Sequence, residues 1–118
     1  MKVVLAEINK LHQETNMSTP LKNTITFIRD SVNVAFYEAP DAFNNYVKQT
    51  YVDSGAILLR NIKETPNGLK RTRTVVWRSA ADQETFSKDP MVVEEKARRD
   101  NYLKQNGIRQ VVKNKLVY

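Results

Sequence analysis

The sequence predicts an α+β domain: a four-stranded antiparallel sheet with helices on one face. Three observations carry this. Stretches of β-branched residues with period-two alternation take turns with stretches of helical spacing. Breakers are scarce, three glycines and four prolines, and most fall where one stretch ends and the next begins. Hydrophobic residues make up 41% and charged residues 27%, which suits a chain that packs a core. At 118 residues that core belongs to one domain, able to bury roughly two thirds of its unfolded surface.

Residues 1–20 are read as an N-terminal appendage and linker, and residues 21–118 as the domain. Val4, Ile8 and Leu11 have helical spacing, although the run Lys2 to Leu5 alone would suit a strand. Met17-Ser18-Thr19-Pro20 reads as the linker, with Met17 an alternative start. Asn23 to Tyr37 has strand composition, interrupted by a bulge or turn at Asp30-Ser31; Val32, Val34 and Phe36 alternate with Asn33, Ala35 and Tyr37. Pro40 and Asp41 open a helix whose face is Phe43, Tyr46, Val47, Thr50 and Tyr51, and Gly55 stops it. Ala56 to Glu64 is a strand, Thr65-Pro66-Asn67-Gly68 a tight hairpin turn, and Leu69 to Ser79 the return strand. Ser79, with Asp82 three residues on, caps a short helix through Phe86. Asp89-Pro90 restarts the helix, which runs from Met91 to Asn106 and stops at Gly107. Ile108 to Tyr118 is the last strand. From Val32 onward the order is β-α-β-β-α-β, the ferredoxin-like arrangement, whose open sheet face is commonly buried against a second copy to give a dimeric α/β barrel.

Cysteine is absent, which excludes disulfides, thiolate nucleophiles and cysteine metal sites. His12 is the only histidine, so neither a two-histidine metal site nor a histidine-based triad fits within one chain. Three isolated glycines cannot build a phosphate-cradling loop. No apolar run approaches the ~18 residues of a membrane span, and the N-terminal stretch does not read as a signal peptide, so the cytoplasm is the expected compartment. The formal charge is +6, and its surplus lies in residues 55–118, with fourteen basic and seven acidic side chains, which predicts a basic sheet surface or edge.

The run Val75-Val76-Trp77-Arg78-Ser79, followed by Phe86, Asp89-Pro90, Arg98 and Gly107-Ile108, resembles the antibiotic-biosynthesis-monooxygenase type of dimeric α/β barrel over about residues 32 to 112. The resemblance implies a fold and dimerisation more than an activity. In the heme-degrading branch the catalytic tryptophan would fall on Phe86 and the heme-ligating histidine on Lys96. A lysine ammonium has no lone pair to offer iron, so no cofactor is expected. In the cofactor-independent, quinone-forming branch an asparagine, a tryptophan and tyrosines line the pocket. Asn33, Tyr37 and Trp77 are of those types, and are the catalytic candidates the resemblance implies.

For ligand binding the candidates are Trp77, Arg73 and Phe86. Trp77 is either a pocket wall or a core anchor. Arg71 and Arg73 lie on its side of the strand, where an arginine could stack or bind an anion; the blander expectation puts both in solvent or against a partner subunit. Glu94 and Glu95 diverge by about 100° on a helix, too far for a carboxylate dyad, and with Lys96, Arg98 and Arg99 they read as a solvated charged face. The leading reading is a homodimer that binds a small organic molecule, aromatic or anionic, between sheet and helices, with cofactor-independent monooxygenase-like activity as its enzymatic form. Two others stay open. RNA-recognition modules share the element order, but the strand Lys70 to Trp77 is basic with a single aromatic where theirs has several. A structural or interaction protein without a ligand is the third.

Overall fold

The computed structural model describes residues 19–118; the N-terminal segment, with His12, lies outside them. The elements are β1 (Leu21–Ile28), α1 (Asp41–Val47) running into a π turn (Lys48–Val52), β2 (Ile57–Glu64), β3 (Lys70–Trp77), α2 (Ala80–Lys88), α3 (Pro90–Gln105) and β4 (Arg109–Leu116). They build one antiparallel sheet in the order β2-β3-β1-β4. This is the β-α-β-β-α-β topology that the element order predicts, with its second helix in two parts.

The first strand sits earlier than expected. β1 is Leu21–Ile28, and residues 29–40 form the connection to α1 rather than a strand from Val32. Local alternation marks both halves of Asn23 to Tyr37. Only the first half meets partners: β1 pairs along its full length with β3 on one side and β4 on the other. The second half is pinned by Arg29, whose Nη1 donates to Val34 O at 2.7 Å and whose guanidinium lies 4.0 Å from the Phe36 ring centre.

Pairing fixes the faces, because side chains alternate along a strand. Leu21, Asn23, Ile25 and Phe27 of β1 share the helix-covered face with Trp77, Val75, Arg73 and Arg71 of β3. Thr24, Thr26, Thr72, Thr74, Val76 and Val111 share the other face, which no described element covers. Lys22, Lys70 and Lys115 lie towards its ends and Lys113 beside Thr24, so the basic surplus is on the open side of the sheet. A register shift between Ile57 and Leu59 places Leu58 in a bulge of the edge strand β2.

The covered side holds two separate apolar clusters. Ile25, Phe27, Phe36, Leu103 and Ile108 form one, joined by Val34, Tyr37 and Tyr102. Val47, Tyr51, Ala56, Ile57 and Trp77 form the other, joined by Leu21, Phe43, Tyr46, Val75 and Phe86 among others. The helix face predicted from spacing is met at Val47 and Tyr51, but Thr50 is exposed. The π turn, closed by Asp53 N donating to Lys48 O at 2.8 Å, adds a residue per turn and brings Tyr51 inward instead.

The caps follow the sequence. Ser79 Oγ accepts from Asp82 N at 3.2 Å to start α2. Asp89 Oδ1 accepts from Met91 N at 2.9 Å, and Pro90 occupies the first turn of α3. Asp82 is not used as a full capping box; its carboxylate takes the Ser79 hydroxyl and the Arg78 guanidinium.

Candidate ligand site between sheet and helices

The inner stripe of α3 is Val92, Glu95, Arg99 and Leu103, at helical spacing. Two charged residues therefore look towards the sheet in the stretch where a solvated face was expected. Glu94 and Glu95 do diverge, and the divergence is what turns Glu95 inward: it is only 4% exposed. Its Oε1 accepts from the Tyr37 hydroxyl, and its Oε2 accepts from Arg98 Nε at 3.1 Å and Nη2 at 2.9 Å. Burial, then the bond to the Glu95 carboxylate, raises the Tyr37 pKa above the ordinary tyrosine value. Tyr37 is thus held protonated as a donor.

Arg99 follows one turn later, with its side chain 12% exposed and its guanidinium 5.8 Å from the Phe27 ring centre. Its Nε lies 3.5 Å from the Oδ1 of the adjacent Asp100, within ion-pair range, yet neither atom makes a hydrogen bond. Arg73 lies on the covered face of β3, beside Ile25, the strand neighbour of Phe27. Its Nε is buried without a hydrogen-bond partner. Burial first, then the positive charges of Arg99 and Arg60, lowers its pKa to about 10, which still leaves it a cation at neutral pH.

Arg71, on the same face, differs sharply. It donates to Glu64 Oε1 from Nε at 2.9 Å and Nη2 at 2.7 Å, and to Glu38 Oε1 from Nη1 at 2.5 Å. Its guanidinium also lies 4.8 Å from the Phe36 ring centre. The expectation that both arginines lie in solvent or against a partner gives way to one paired within the chain and one beneath the helix layer.

Trp77 is 3% exposed, the least of the described hydrophobic residues named in the core. Phe86 packs against it with ring centres 4.8 Å apart, and Tyr51 meets it edge-on at 6.2 Å. The structure thus brings Trp77 and Phe86 together. Tyr37 belongs to the other cluster, against Tyr102 at 5.5 Å. Asn33 is exposed in the turn after β1, its backbone N donating to Ser31 Oγ at 3.1 Å. Lys96 is exposed on α3. Among the described residues no group of histidine, aspartate or glutamate side chains is arranged to hold a metal ion, and no helix is long and apolar enough to cross a membrane.

The covered side is therefore two apolar walls, one built on Trp77 and Phe86 and one on Phe27 and Phe36, with Asn23, Arg73, Glu95 and Arg99 on strands and helix between them. Solved structures share the fold. A candidate antibiotic biosynthesis monooxygenase from Caulobacter crescentus CB15 superposes with a TM-score of 0.65 at 9% identity, covering 92% of this chain and 98% of that one. SnoaB, a cofactor-independent oxygenase from Streptomyces nogalater, gives 0.57 at 7% identity over 85% and 94%. A dimeric ferredoxin-like protein from an uncultured marine organism gives 0.54 at 10% identity over 90% and 94%. The fold is ferredoxin-like. At these identities the likeness is one of fold. No protein-family model matches the sequence, and no curated protein is similar to it at a significant level.

Within this ferredoxin-like frame, the inward turn of Glu95 and Arg99 is the feature that sequence spacing missed. The signal was present: Val92, Glu95, Arg99 and Leu103 fall three, four and four residues apart, one stripe of a helix whose end members are apolar. The charged run Glu94 to Arg99 masks the stripe, because neighbours along the chain point to different sides of a helix.

Proposed function

We propose that the chain binds a small organic molecule between its sheet and α3, and that two copies pair their open sheet faces into an α/β barrel. The observation that carries the first part is the divided interior. Apolar aromatic walls suit a planar ligand, and the intervening polar groups suit its orientation, which is the usual composition of a small-molecule site. Trp77 and Phe86 form one wall, and Arg73 on β3 and Tyr37 of the other cluster are the polar residues proposed to meet the ligand. Support for the second part is the uncovered face, threonine and valine at its centre, with Thr26 and Thr72 hydroxyls 3.3 Å apart and so able to satisfy each other when buried. The marine-organism neighbour described as dimeric agrees with this.

Cofactor-independent monooxygenase-like activity on a phenolic substrate is the reaction class to test, with Trp77, Tyr37 and Asn33 as the residues to vary. The nucleic-acid reading is less favoured: Arg71 is engaged by two carboxylates and Arg73 lies on the covered face, so neither is offered to a strand on the open sheet.

Trp77 is the only tryptophan, so its fluorescence reports on this interior alone. Titration with a panel of phenols and aromatic acids should shift or quench it saturably, and oxygen consumption with the binding phenols measures turnover. A panel that leaves both emission and melting temperature unchanged overturns the ligand reading. A monomer by light scattering at micromolar concentration overturns the barrel.

A further inference from the structure

Burying a guanidinium without a partner is costly, and the two least-satisfied cations of the covered side sit in the same place. On β3, Arg71 has both ends of its fork committed to carboxylates, while Arg73 two residues later has no hydrogen bond or ion pair among the described residues. On α3, Arg98 is held by Glu94 and Glu95, while the Nε of Arg99 makes no hydrogen bond. Both Nε groups are buried without a hydrogen bond, and both belong to residues that face the layer between β3 and α3. Arg60, opposite Val75 on β2, adds a third positive charge on that face; of the carboxylates on α3, Glu95 is taken by Tyr37 and Arg98, and Asp100 lies beside Arg99 without a hydrogen bond.

We infer that Arg73 and Arg99 form the seat of one oxyanion, the carboxylate of a small organic acid or an inorganic phosphate, held between β3 and α3. This rests on the ligand reading above and narrows it to an anionic ligand. Two guanidinium forks from opposing elements suit the planar, divergent lone pairs of such a group, which a lysine point charge would not. The anion supplies the missing acceptor for both buried donors, and its aromatic portion extends towards the Trp77 and Phe86 wall.

The test uses the full chain with salicylate, neutral salicylamide and inorganic phosphate, read by calorimetry and Trp77 fluorescence. Salicylate should bind about 10-fold or more tighter than salicylamide, the difference a charged hydrogen-bonded pair supplies. Arg73→Gln and Arg99→Gln should each abolish that preference and leave salicylamide within about twofold. Arg73→Lys and Arg99→Lys keep the charge without the fork and should retain part of the preference, with circular dichroism confirming the fold. Equal binding of salicylate and salicylamide, or a preference that survives both glutamine variants, overturns the anion seat while leaving a small-molecule site intact. Binding of phosphate alone, lost in the glutamine variants, supports the seat and overturns the organic ligand. No binding of any of the three overturns both.

Discussion

Tyr51 donates its hydroxyl to Asp89 Oδ2 at 2.5 Å, tying the π turn to the residue that caps α3. Tyr46 donates to the same oxygen, and the other oxygen caps Met91 N. One carboxylate thus joins three elements. Asp89→Ala should cost about 1–3 kcal/mol in urea denaturation, from the lost cap and the buried Tyr51 hydroxyl left without its acceptor.

The same aspartate sets an acid limit. Burial alone would raise its pKa, but hydrogen bonds from Tyr46, Tyr51 and the amides of Met91 and Val92 outweigh burial and hold it below the ordinary aspartate value. A carboxyl lowered by folding contributes stability above its unfolded pKa, about 3.9, and loses it as pH falls through the folded value. Stability measured from neutral pH downwards should therefore drop below about pH 4 in the native chain, with a smaller drop in Asp89→Asn.

Glu95 and Tyr37 form the corresponding pair in the other half of the interior. Glu95→Ala should destabilise by about 1–3 kcal/mol, since Tyr37 is left without its acceptor, whereas Arg98, 54% exposed, returns to water. A double-mutant cycle of Tyr37→Phe with Glu95→Gln should give a coupling energy of about 0.5–3 kcal/mol. Strict additivity would mean that the contact stabilises nothing.

Gly68 closes the β2–β3 turn at φ +74°, and its carbonyl accepts from Arg29 Nε at 2.8 Å. A Cβ there would lie 3.3 Å from Val32 Cγ1 and 3.5 Å from Arg29 Nη2, so Gly68→Ala meets both backbone strain and crowding. A loss of about 1–2 kcal/mol is expected by thermal melting. An unchanged melting temperature would show that the turn relaxes freely.

Thr74, paired with Thr24 at the middle of the open face, is the position where a charge should act on pairing between subunits and on nothing within one. On the proposed pairing of open faces, the native chain should be dimeric in light scattering and Thr74→Glu monomeric, while Thr74→Ser stays dimeric and both keep the native far-ultraviolet spectrum. A dimer that tolerates glutamate there would place its interface elsewhere.

Sequence pattern disclosed those parts of the fold that depend on neighbours along the chain. Ser79, Asp89-Pro90 and the Asn67-Gly68 turn act within a few residues, and each stands where its chemistry required. β1 stands earlier than local alternation suggests, because its identity depends on hydrogen bonds to β3 and β4, far along the chain, which alternation at Val32, Val34 and Phe36 imitates without making. For the site, Trp77 and Phe86 were legible as large apolar residues that must be covered, and they do meet. The buried partners of Tyr37 and the unpaired state of Arg73 were not, because whether a charge is solvated is decided by which element crosses above it. Arg71 and Arg73 have the same spacing logic and opposite fates.

The two apolar clusters meet only along β1 and share no residue. α2 contributes no buried residue, whereas α1 and the π turn bury Val47 and Tyr51 and are tied to α3 through Asp89, which makes α2 the weakest unit. Under native-state hydrogen exchange, amides of residues 80–88 should open at a lower free energy than those of β1, β3 and the end of α3. A molecule reaching the interior from solvent would then enter by a breathing motion of that unit, with the central strands held closed as its fixed floor.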